Sequence, residues 1–143
     1  MDGMFLAPSH IAELRGSGLT DDTLDASGFF TGDIDLGRRL MGWGTEKYAH
    51  DPHPDGLYLF FGCCSQDGSL LGYRCKPPAV NGRPKYEQPR GVGLFAYFSD
   101  GWLEESDFVT VVEGEKKCAA AWQTTGQPCV GLTGCYSWKT KGD

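Results

Sequence analysis

Apolar and polar positions along the chain change their spacing near residue 57. Before it, the stretch Pro8 to Phe30, PSHIAELRGSGLTDDTLDASGFF, reads as two short helices. Ser9 is placed to cap the first, with Ile11 and Leu14 on one face. The Gly-Ser-Gly run at 16–18 breaks it. Thr20 caps the second, Asp21 and Asp22 suit its positive end, Leu24 continues the apolar face, and Gly28 stops it. Such a helical hairpin occurs in DNA-binding modules and, more often, as plain packing. Residues Thr31 to Asp55 are weakly patterned: DLGRRLMGWG predicts one helical turn and HDPHPDG a loop.

From Leu57 the runs become short, apolar and aromatic. LYLFFGCC and SLLGYRCK predict two strands joined at Asp67-Gly68, a hairpin signal. GVGLFAYFSD predicts a third strand and DFVTVVEG a fourth. EKKCAAAWQTTG predicts a helix that ends at Gly126, and Pro128 to Leu132 a short strand after it. Strand, helix and strand at this spacing predict a βαβ unit with parallel pairing. The expected fold class is α+β. A helical N-terminal segment and loop span 1–55, and a domain with a mixed β-sheet core spans 56–143.

Composition narrows the classes. The 143 residues carry a net charge of −6, which argues against non-specific nucleic-acid binding by the whole surface. No apolar run approaches the ~18 residues of a membrane span. The N-terminus, MDGMFLAPSH, lacks the basic and apolar regions of an export signal, so a cytoplasmic protein with no membrane partner is expected. The six cysteines (Cys63, Cys64, Cys75, Cys118, Cys129 and Cys135) lack the paired spacing of zinc sites and are expected to be buried free thiols. His50, Asp51, His53 and Asp55 sit in a Pro-rich turn with no fixed ligand face, and a solvated turn is expected there.

Two places carry candidate chemistry. YRCKPPAVNGRPKYEQPR sets Arg74, Lys76, Arg83, Lys85 and Arg90 against one acid, Glu87, with Tyr73 and Tyr86 interleaved. Cations that track phosphates and rings that stack on bases would line a nucleic-acid channel; a solvated hairpin edge has the same composition. The other place is Glu113, at the end of VTVV and before Gly114. An acid at the carboxyl end of such a strand can ligate Mg²⁺ or move a proton. Glu115 opens the helix, where its charge is favourable without any function. Position thus favours Glu113 as the site and Glu115 as the cap.

In order and spacing, DGSLLGYRCK, GRPKYEQPRG, LFAYF and VTVVEGEKKCAAAWQTTGQPCVGLTG resemble the catalytic core of DnaG-type primases. The resemblance is closer still to the Toprim-like modules of phage and plasmid primase-helicase proteins, and it covers nearly the whole chain. It implies that the βαβ unit is a partial Toprim fold and that Glu113 is its first acid, catalytic beside a weakly held Mg²⁺. It implies that Arg74 and Lys85 line a template and nucleotide groove, and that Gly131 and Gly134 form the turn after the second Toprim strand. The family also has a later Asp-x-Asp pair. After Gly134 only CYSWKTKGD follows, and Asp33 and Asp35 lie far upstream. The expectation is a module of a mobile-element replication protein that binds single-stranded DNA or RNA and replication partners, without catalysis on its own. The alternative is a small non-catalytic protein that binds and inhibits a host protein such as a defence nuclease, which the acidic charge would suit.

Overall fold

A computed structural model describes residues 4–45, 56–78, 84–89, 91–100 and 107–134. The chain forms helices α1 (Pro8–Gly16) and α2 (Asp21–Ser27), strand β1 (Phe29–Gly32) and helix α3 (Ile34–Met41). Strands β2 (Tyr58–Cys64), β3 (Leu70–Lys76), β4 (Tyr97–Phe98) and β5 (Thr110–Glu113), helix α4 (Glu115–Thr125) and strand β6 (Cys129–Leu132) follow. This is the expected α+β class. Among the described residues the strands form two three-stranded sheets, ordered β1-β2-β3 and β4-β6-β5, where one mixed sheet was expected.

The first sheet is antiparallel throughout, with Phe29 opposite Phe61 and Phe61 opposite Arg74. Its middle strand, β2, is buried on both faces, so the run LYLFFGCC shows no alternation. Leu59, Phe61 and Cys63 pack to one side, with Leu14, Leu24, Phe29, Tyr97 and Cys118. Tyr58 and Phe60 pack to the other, with Phe30, Met41 and Trp43. The second sheet is mixed: β5 runs parallel to β6, and β4 runs antiparallel to it. The predicted βαβ unit is therefore β5-α4-β6, its helix ended at Gly126 in a left-handed conformation.

Several local expectations change. The cap of α1 is Ala7, because Pro8 presets the first helical turn one residue earlier than Ser9 would. Thr20 caps α2 as expected, accepting from the Thr23 amide, and Gly28 ends it. Strand β1 spans the junction between the predicted helical stretch and the weakly patterned one from Thr31, which then holds two turns of helix, not one. Asp33 caps that helix by accepting from the Leu36 amide at 2.8 Å, and Asp35 pairs with Arg38 at 3.0 Å. The third predicted strand shrinks to Tyr97–Phe98. Among the described residues no helix is long and apolar enough to cross a membrane. No disulfide joins the five described cysteines, and burial pushes the Cys63 thiol up to about 12. Cys135 and the His50–Asp55 turn lie outside the described residues.

The N-terminal helices are tied to the rest by side chains. The Gln123 amide on α4 donates to the Gly18 carbonyl at 2.9 Å and accepts from the Thr20 amide at 2.8 Å. Thr31 accepts the Ala7 amide proton at 2.8 Å, and its own hydroxyl proton can go to Nδ1 of His10, also at 2.8 Å. Burial lowers the His10 pKa, the nearby Glu13 opposes that shift, and Lys76 adds to it. The folded state thus favours neutral His10 while the unfolded chain still takes up a proton. Stability should be complete above the ordinary histidine pKa of about 6.5 and should fall as the pH drops through it. Thermal melts at pH 7.5 and 5.5 should show this loss, and His10→Gln should flatten it. An equal loss in the variant would assign the effect to other groups.

Candidate nucleic-acid interface

Gly114 adopts φ 85° and ψ 162°, a region open to glycine, and so turns the chain sharply from β5 into α4. Its amide donates to the Leu132 carbonyl at 2.7 Å, which fixes the turn to the end of β6. Glu113 stands exposed just before it, opposite Leu132 in the parallel register. A cavity of about 560 Å³ opens there. Its lining brings together Glu113, Arg74, Lys85 and Tyr86, with Lys116 and Lys117 from the first turn of α4.

The segment that carries Lys85 and Tyr86 is held against β3 by a pair of backbone hydrogen bonds. Cys75 donates to the Glu87 carbonyl at 2.8 Å, and Glu87 to the Cys75 carbonyl at 2.7 Å. Tyr86 is 36% exposed, with its ring centroid 6.0 Å from that of Phe61. The Lys85 ammonium lies 5.6 Å from the centre of the Tyr86 ring, in cation–π range. Ring and ammonium thus present a π surface beside a cation.

Arg74, Lys76 and Lys116 are engaged inside the protein. Arg74 is 2% exposed; its guanidinium donates to the Glu115 carboxylate and to the Phe95 carbonyl, and lies 4.8 Å over the Phe95 ring. Lys76 pairs with Glu13 of α1, which Lys116 of α4 also reaches, at 3.1 Å. Burial would raise the Glu13 carboxyl pKa, but hydrogen bonds from Lys76 and Lys116 outweigh it and hold the group below its ordinary value. Arg83 and Arg90 lie outside the described residues.

Glu115 is the residue that the sequence reading undervalued. It is 5% exposed and belongs to a buried ion pair that joins the first turn of α4 to β3, across the two sheets. A helix-opening acid appeared sufficient as a cap because its partner stands 41 positions away. The signal present in the sequence was parity: Arg74 shares a register with Phe61, so it points into the core.

For a divalent ion the described residues fit poorly. Glu115 is neutralised by Arg74, which leaves Glu113 as the one exposed carboxylate of the βα turn. Among the described residues no group of three or more His, Cys, Asp or Glu side chains is close enough to hold a metal. Mg²⁺ is bound by carboxylates together with substrate phosphates and water, so a lone Glu113 would hold it weakly.

No family model matches the chain, and no curated protein matches it in sequence. A solved structure does resemble it, that of the DnaG catalytic core. The TM-score is 0.58 at 16% identity, over 90% of this chain and 48% of that one. The chain thus has a distant primase-like fold and spans about half the length of that core.

Proposed function

We propose that the chain is a primase-related module, from the replication protein of a mobile element, that holds single-stranded DNA or RNA in the cavity beside Glu113. The observation that carries this is the cavity itself. In a chain of net charge −6, four of its lining residues are cations (Arg74, Lys85, Lys116 and Lys117), and Tyr86 stands among them. The fold of the DnaG catalytic core supports the same reading. Lys85, Lys117 and Tyr86 make the outward-facing contacts. Arg74 and Lys116, engaged with Glu115 and Glu13, shape the wall and its field.

Fluorescence anisotropy of labelled single strands at two salt concentrations tests this. Binding should weaken steeply with salt, because each phosphate contact releases a counterion. Lys85→Ala should cost about 1 kcal/mol and lower the salt slope by about one unit. Tyr86→Ala should cost a similar amount, about 1 kcal/mol, and leave the slope unchanged, because stacking releases no ions. Binding that ignores salt, or that both variants leave intact, would remove the reading.

A further inference from the structure

A second depression shares no lining residue with the cavity at Glu113. It measures about 970 Å³ and runs between the N-terminal segment, α2, the β2–β3 turn and the end of β4. Gly28 and Gly62 meet in its lining backbone to backbone, the Gly62 amide donating to the Gly28 carbonyl at 2.9 Å. Met4 and Phe5 form part of its wall and are 42% and 62% exposed. The backbone beneath that phenyl ring is fixed, since the Phe5 carbonyl accepts from the Thr31 amide at 2.8 Å. A large apolar ring on an anchored backbone loses little freedom when a partner covers it.

The rim is acidic. Asp21, Asp25, Asp67 and Asp100 line the groove. Arg15 is the one cation among the described lining residues, and it is bound to Asp21 through two hydrogen bonds of 2.9 and 2.8 Å. Asp25, Asp67 and Asp100 have no cationic partner among the described residues. Hydrogen bonds from Ser65 and Ser69 hold the Asp67 carboxyl at about 2, so it stays ionised.

We propose that this groove docks a basic segment of a partner protein, one that carries lysine or arginine beside an aliphatic or aromatic side chain. The unbalanced carboxylates select the positive charge and steer its approach. The exposed Met4 and Phe5 select an apolar neighbour for that charge. A nucleic acid would meet repulsion at this rim. A polyamine would match the charge but leave both apolar side chains in water.

The test uses the 143-residue chain and a fluorescein-labelled eight-residue peptide that alternates lysine and leucine, at about 0.15 M salt. The peptide should bind, and octalysine should bind about tenfold more weakly. Asp25→Asn together with Asp100→Asn should weaken the peptide about tenfold, and Phe5→Ala about threefold. Circular dichroism melts identify variants that remain folded. Peptide-induced amide shifts in the wild-type protein, which need no variant, should gather at Gly28, Gly62 and Asp67. Four results would each overturn the proposal: no binding, equal affinity for octalysine, equal weakening by Asp35→Asn with Asp107→Asn, or shifts gathered around Lys85 to Glu87.

Discussion

Arg74→Ala should destabilise the folded chain by about 3–5 kcal/mol, the largest single effect expected here. The change removes one member of a buried pair and leaves the Glu115 carboxylate, 5% exposed, without its partner. It also strips the Phe95 carbonyl of its donor. Glu115→Ala should cost a comparable amount, since an unpaired guanidinium at 2% exposure is as badly placed. Replacing both by apolar side chains of similar size, Arg74→Met with Glu115→Leu, should recover most of the loss. Urea unfolding of the three variants checks this. If Arg74→Ala alone were near neutral, the pair would not be the joint between the two sheets. The same series separates two roles for Arg74. A positioning residue predicts that the double variant folds and keeps salt-dependent strand binding; a phosphate contact predicts that binding fails while the fold survives.

The pair also shows where sequence reasoning reached and where it stopped. Strands β2 and β3 were legible because Asp67-Gly68 fixes their turn, and the β5-α4-β6 unit was legible because Gly114 and Gly126 bracket an alanine-rich helix. Strand β1 was not. All four of its residues are buried, so FFTG has no alternation to detect, and the segment before α1 meets it, the Thr31 amide donating to the Phe5 carbonyl. The third strand was overextended because Phe95, apolar and aromatic, looks like strand; its ring packs beside Gly72 and its carbonyl serves Arg74. Of the candidate site, position at a strand end located Glu113, and composition located Lys85 and Tyr86. Composition could not tell these from Arg74 and Lys76, because their acidic partners lie 41 and 63 positions away. A cation shows its charge in the sequence; whether an acid has already claimed it depends on the fold.

Gly131→Ala should be the second severe change, at about 3 kcal/mol, the upper end of what overpacking a tight core usually costs. A methyl group at this position would lie 2.5 Å from the Gly114 carbonyl oxygen, 3.0 Å from its carbon and 3.1 Å from Cβ of Cys118. Two of these neighbours are backbone and cannot swing aside as a side-chain tip would. The constraint is distance, because β6 must approach the βα turn closely for the Gly114 amide to reach Leu132. Any relief moves that turn, and with it Glu113 and the first turn of α4, so strand binding should weaken along with stability. Gly134→Ala is the matched control: among the described residues nothing lies within 4 Å of its added methyl group, and changes away from packed contacts stay within about 0.5 kcal/mol. Chemical denaturation gives the stability of both variants, and the anisotropy titration gives their binding. If Gly131→Ala lost stability but bound single strands as well as wild type, the packing argument would stand, and the cavity beside Glu113 would not be where the strand is held.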